Sequence, residues 1–93
     1  MSTAVRDVPQ KSRYEVSVDG RPAGHSDYRL RGDRVVFTHA EIDPAFEGLG
    51  VGSDLAQAAL DDVRRRGLFA VPLCPFIKGW IERHPDYQDL VAP

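Results

Sequence analysis

Phe46-Glu47-Gly48-Leu49-Gly50-Val51-Gly52-Ser53-Asp54-Leu55 sets three glycines at alternate positions between a strand-like run and the longest helical pattern in the chain. Glycine adopts positive φ without penalty and lets the backbone approach a ligand, so successive N–H groups can converge on one anion. A helix start adds unbonded donors and the positive end of the helix dipole. A Walker loop would finish in Gly-Lys-Ser/Thr, but Ser53-Asp54 follows Gly52 with no lysine. The dinucleotide fingerprint reads G-x-G-x-x-G, whereas Gly48, Gly50 and Gly52 read G-x-G-x-G. Neither nucleotide motif fits. By itself the loop has two readings, an anion cradle or a tight connection that brings a helix close against a sheet.

Upstream of the loop, Arg34 to Ile42 reads as a strand, with Val35, Phe37, His39 and Glu41 on one face and Val36, Thr38, Ala40 and Ile42 on the other. Apolar residues on both faces predict a central strand covered on both sides. Asp43-Pro44 ends it, because proline cannot donate to a ladder. Arg13 to Val18 alternates cleanly, and Asp19-Gly20 is a two-residue hairpin signal. The returning strand spans Gly24 to Leu30, with Tyr28 and Leu30 expected to face inward, and Gly32-Asp33 makes the next turn. Met1 to Gln10 is polar, holds Pro9 and has no period, which predicts a flexible arm over residues 1–10 ahead of a single domain over 11–93.

Downstream, Val51, Leu55, Ala59 and Val63 recur at four-residue steps, with Ala56 and Leu60 widening the stripe of a helix that ends near Arg66. Arg64-Arg65-Arg66 suits the negative end of that helix and reads as a solvated terminus, with Gly67 just beyond it. Leu68 to Leu73 is a short apolar strand closed by Cys74-Pro75. A second helix follows from Pro75 to about Arg83, with Phe76, Ile77, Trp80 and Ile81 on its apolar face. His84-Pro85 stops it, His84 reading as a cap or surface residue, and Tyr87, Leu90 and Val91 dock the tail. The order is β-β-β-α-β-α, an α+β domain on a mostly antiparallel sheet.

Composition narrows the functional classes. The 93 residues are 42% hydrophobic and 28% charged, ordinary for a globular domain. A formal charge of −2 and a pI near 5.8 offer no general attraction for nucleic acid or an anionic membrane. No apolar run approaches the roughly 20 residues that cross a bilayer, and the first ten lack a signal-peptide centre, which predicts a cytoplasmic protein. Cys74 is the single cysteine, and His25, His39 and His84 are scattered, so no metal site is expected.

Glu47, Gly50 and Gly52 occupy the places of the Gln/Arg-x-x-Gly-x-Gly/Ala pyrophosphate loop of the GNAT superfamily of acyl-CoA N-acyltransferases, which this loop resembles. The acidic Glu47 departs from that pattern. Thr38-His39-Ala40-Glu41-Ile42, Pro44 to Leu55, Cys74-Pro75-Phe76-Ile77 and Arg83-His84-Pro85-Asp86-Tyr87 together resemble the small YjdJ-type N-acetyltransferase-domain family. The resemblance implies a minimal GNAT-like fold, lacking the usual first helices and final strands, in which Arg34–Ile42 and Leu68–Leu73 splay apart around the thioester arm. It implies acetyl-CoA or CoA held at Phe46, Glu47, Gly48, Leu49, Gly50, Val51, Gly52 and Ser53. It implies acetyl transfer to an unidentified amine; a monomer or weak dimer is expected, and the composition predicts no metal, nucleic acid or membrane partner. The alternative is a CoA-binding module without turnover, acting as a sensor or interaction protein.

Acyl transfer also needs polarisation of a carbonyl and loss of an amine proton. Cys74 falls at the mouth of the splay, where it is either an inert core thiol or, as the resemblance implies, an acyl acceptor or proton donor. His39 and Glu41 are placed two apart on one strand, where either can act as a general base, direct or through water, or His39 is a hydrogen-bonded structural histidine and Glu41 a solvated glutamate.

Overall fold

Two turns with left-handed backbone set the meander. The computed structural model describes all residues, Met1–Pro93. Asp19 and Gly20 have φ of 51° and 82°, the paired positive values that a two-residue hairpin turn demands. They join strand β2 (Arg13–Val18) to β3 (Arg21–Arg31), and a turn with Gly32 at φ 61° leads into β4 (Arg34–Ile42). Residues 1–10 are not an arm. Thr3–Val8 forms β1, an antiparallel edge strand running from the Thr3–Val18 pair to the Val8–Arg13 pair, and Pro9 opens a 3₁₀ turn after it. Its alternation is weak because an edge strand buries little, and Ser2 N donates to Asp19 Oδ1 at 2.8 Å to hold its start.

A bulge changes which side chains share a face. Leu30 pairs with Val35 and Tyr28 with Phe37, but Asp27 pairs with His39, so Thr38 is an extra residue on β4. Alternation restarts after it. Val35 and Phe37 face the core, Ala40 and Ile42 then take the core side, and His39 and Glu41 turn to the opposite face. The predicted grouping of His39 and Glu41 with Val35 and Phe37 is therefore corrected. Leu30 is 57% exposed rather than inward, because β3 runs on past the start of β2 and loses its neighbour there.

Helix α1 (Val51–Arg65) buries Val51, Leu55, Ala56, Ala59, Leu60 and Val63, the stripe read from the sequence. It crosses over to β5 (Phe69–Pro72), which lies parallel to β4 and completes a sheet ordered β1-β2-β3-β4-β5. Helix α2 (Pro75–Glu82) follows, then a 3₁₀ turn over Pro85–Leu90. Both helices contribute to one core with the sheet, through Leu55 and Leu60 from α1 and Ile77, Trp80 and Ile81 from α2. The helices thus share one face of β4, and the expectation of cover on both sides is not met. The open face carries Arg13, Glu15, His25, Asp27, His39 and Glu41. No helix is long and apolar enough to cross a membrane.

The arginine triplet is exposed at the helix end, as expected, and its side chains also clamp neighbouring elements. Arg64 donates to both oxygens of Asp89, at 2.9 and 3.0 Å, and to the Asp86 carbonyl. Arg65 pairs with Asp62, and Arg66 reaches Asp62 at 3.0 Å and Asp7 on β1 at 2.8 Å. Tyr14 donates to buried Asp62 at 2.7 Å and Tyr28 to Asp7 at 2.6 Å. Both phenols are pushed up to about 12, Tyr14 by burial and then by the Asp7 charge, Tyr28 by burial and then by its bond to Asp7. A phenol raised above its ordinary value of 10.0 favours the folded state below that pH, and this support is lost as pH climbs through 12. Denaturation midpoints are expected to hold through pH 9 and to fall steeply between 10 and 12. A Tyr14→Phe, Tyr28→Phe double variant is expected to lose about 1–3 kcal/mol at pH 8 and to flatten that alkaline fall. A parallel fall in both proteins contradicts the assignment.

Candidate functional site

The loop between β4 and α1 is built from its anchors inward. Asp43 Oδ1 accepts from Ala45 N at 2.9 Å and shapes the 3₁₀ turn Pro44–Phe46. The Phe46 ring is buried in the core beneath Arg21, 5.3 Å from its guanidinium carbon, so it anchors the loop and offers no side chain to a ligand. Gly48 and Gly50 have φ of 80° and 79°, and a Cβ at either would meet open space, so both are required for backbone conformation. Gly52 lies close under Phe76 and Ile42. A Cβ there would lie 2.8 Å from Phe76 Cζ and 3.5 Å from Ile42 Cγ1. The first turn of α1 thus rests directly on the end of β4 and the start of α2.

No side chain caps α1, and its first internal donor is Asp54 N, bonded to Gly50 O at 3.1 Å. The N–H groups from Gly48 through Ser53 donate to no acceptor in the chain. Glu47, Gly48, Leu49, Gly50 and Ser53 are exposed while Val51 is buried, so the run opens outward from a fixed base. Such a run of donors at a dipole's positive end fits a diphosphate. Ser53 Oγ accepts from Trp80 Nε1 at 2.9 Å, which ties the loop to α2. Beyond Trp80, the His84 ring stacks on the indole at 3.7 Å and its Nδ1 lies 2.6 Å from the Trp80 carbonyl, so His84 caps the helix end.

Beside this loop the sheet forks. Leu73 N and Cys74 N both donate to Phe37 O at 3.0 Å, and β5 then turns away into α2. The edge of β4 from Thr38 to Ile42 has no strand on that side. Cys74 sits at the apex of the fork as the residue before α2, and it is only 3% exposed, within the core.

His39 and Glu41 are brought together on the open face, Nε2 to Oε1 at 3.7 Å. Cys74 belongs to the core side and is not brought to them. The sequence reading missed His25 and Asp27. His25 Nε2 lies 3.8 Å from Glu41 Oε2 and 3.8 Å from Asp27 Oδ2, and its ring stands 6.3 Å from that of His39. Only the strand register, with His25 opposite Glu41 and Asp27 opposite His39, could have found them. A groove of about 1140 Å³ runs from Asp43, Pro44 and Glu47 past Glu41 and His25 to β1.

Comparison with known proteins agrees with this geometry. Protein NATD1 of Mus musculus is 33% identical over 69 residues, a match covering 71% of this chain and 63% of that protein. The Homo sapiens protein is equally identical, with 61% of its length covered, so the match spans less than two thirds of these relatives. The solution NMR structure of a GCN5-like protein from Staphylococcus aureus superposes with a TM-score of 0.73 at 20% identity, covering 96% of this chain and 87% of that one. The crystal structure of the ribosomal-protein-S18-alanine N-acetyltransferase from Escherichia coli superposes with a TM-score of 0.58 at 19% identity, over 61% of this chain and 37% of that one. Residues 13–90 match the family described as GCN5-related N-acetyl-transferase, and the chain, with its glycine loop beside a forked sheet, belongs to that family.

Proposed function

We propose that this protein binds acetyl-CoA and transfers its acetyl group to an amine presented on the open face of the sheet. The observation that carries this reading is the unbonded N–H run from Gly48 to Ser53, set by Gly52 directly against Ile42 and Phe76 at the opening of the fork. The diphosphate would rest on that run, and the acyl-bearing arm along the free edge of β4. Glu47, which stands where the family pattern has a neutral or basic residue, is exposed, so its carboxylate can point away from the phosphates.

In the transfer the amine nitrogen bonds to the thioester carbon as the carbon–sulfur bond breaks; the nitrogen loses one proton and the departing sulfur gains one. Outward N–H groups of β4 beyond Phe37 are suited to polarise the carbonyl. His39 and Glu41 are proposed as the pair that takes the amine proton, directly or through water. Cys74 is proposed to return a proton to the sulfur from within the fork. Its burial argues against storing the acetyl group, since an acyl-enzyme needs a thiol that the acceptor can reach. That burial also favours a second reading, a CoA-binding module without turnover.

Trp80 is the single tryptophan and bonds to the loop through Ser53, so its fluorescence reports ligand at the cradle. Acetyl-CoA is expected to change that signal saturably, and Gly50→Val is expected to weaken binding at least about tenfold by straining a left-handed position. Unchanged affinity in the variant removes the cradle. His39→Ala and Glu41→Gln are expected to lower kcat by about 10²-fold with acetyl-CoA binding intact. Binding without turnover on any amine selects the second reading. Ellman's reagent is expected to label Cys74 slowly in the native protein and fully in guanidinium; rapid native labelling would reopen the acyl-enzyme route.

A further inference from the structure

The open face is electrically divided along one straight row of side chains. Arg6 on β1 stands opposite Glu15 on β2, Glu15 opposite His25 on β3, and His25 opposite Glu41 on β4. Three steps between neighbouring strands separate the ends of this row by about 14 Å. At the β1 end, Glu15 is shared by Arg6 at 3.2 Å, Lys11 at 3.9 Å and Arg13 at 2.7 Å. One carboxylate cannot neutralise three cations, and two of them are well exposed, Arg6 at 77% and Lys11 at 59% of their side chains. The β4 end carries Glu41, with Asp43 and Glu47 lining the same groove and no lysine or arginine among its residues there. Pairs made by side chains as exposed as Arg6 and Lys11 contribute little stability, which leaves their charge available to a molecule in the groove.

From this division, and resting on the reading that the acceptor nitrogen meets His39 and Glu41, we infer that the acceptor is a peptide-like amine carrying an acidic group about 10–14 Å from the reacting nitrogen. The acidic end draws in the ammonium form before His39 and Glu41 take its proton. The excess positive charge of Arg6 and Lys11 then receives the carboxylate, Arg6 by a forked pair of N–H donors. A compact amine reaches only one end of the groove. An extended peptide gains about 3.3 Å per residue, so an acidic side chain three to four residues from a free amino terminus spans both ends.

The test uses two tetrapeptide amides that differ only in glutamate or glutamine at the fourth position. Their binding to the CoA-saturated protein is measured calorimetrically at about 50 mM salt, alongside KM for transfer. The glutamate peptide is expected to bind about five- to tenfold more tightly, the preference shrinking with added salt. It is expected to vanish in an Arg6→Glu, Lys11→Glu double variant whose circular dichroism and acetyl-CoA affinity match the parent. Equal affinity of the two peptides, a preference that survives charge reversal, or no binding of either peptide while CoA binds overturns the inference and leaves the cradle standing. If CoA itself fails to bind, the proposed function falls, and the same peptide pair measured on the free protein still decides the acidic preference.

Discussion

A single carbonyl governs the architecture. Phe37 O accepts from both Leu73 and Cys74 as the last acceptor of the parallel ladder, because the next rung would need an N–H at residue 75 and Pro75 has none. β5 must leave, and α2 begins at the next residue, Pro75. The abandoned edge of β4 would ordinarily invite another strand. Here the bulge at Thr38 adds local twist at the same place, and the first turn of α1 closes over the far end through Gly52 and Ile42. The free edge is thereby kept inside a fork between two helix starts.

Much of this was legible because it is local. Alternation in β2, the Asp19-Gly20 turn, the four-residue stripe of α1 and the Pro75 helix start each depend on a few neighbouring residues, and each appears where the pattern puts it. The glycine loop was legible as a cradle or a close contact; Gly52 makes the close contact, and Gly48 and Gly50 hold the positive φ of a run of unbonded N–H groups. The bulge was not legible. Nothing in Phe37-Thr38-His39 announces an extra residue, since that depends on Asp27 and Tyr28 across the strand. One unseen residue sent His39 and Glu41 to the opposite face and hid their meeting with His25. The acyl-CoA expectation came from family resemblance, because a run of amides is specific for an anion and not for the molecule bearing it.

The arginine triplet is the solvated helix end its sequence suggests, but its pairing was hidden for a related reason. Two of its partners are far off in sequence, with Asp89 lying 25 positions from Arg64 and Asp7 lying 59 positions from Arg66. Charge at a helix terminus is locally sufficient to explain three arginines, so the sequence contains no sign of further work for them. In the folded chain each has a different anchor: Arg64 the C-terminal turn, Arg65 its own helix, Arg66 the edge strand. Exposed pairs of this kind are individually weak, but Asp62 is buried and needs its partners, because an unpaired carboxylate there would be costly.

The sheet order follows the chain order from β1 to β5 without interruption. Every strand therefore pairs with one already made, and a chain leaving the ribosome can add each strand to a growing edge without waiting for distant segments. Two closures come late. Arg66 must reach back to Asp7, and Val91 must bridge beside Ala70, with Ala92 N bonded to Ala70 O at 2.9 Å. Until Val91 and Ala92 dock beside Ala70, the outer rim of β5 is bare, so these two residues decide when that edge stops offering itself to other strands, while β1 keeps its rim in the finished sheet.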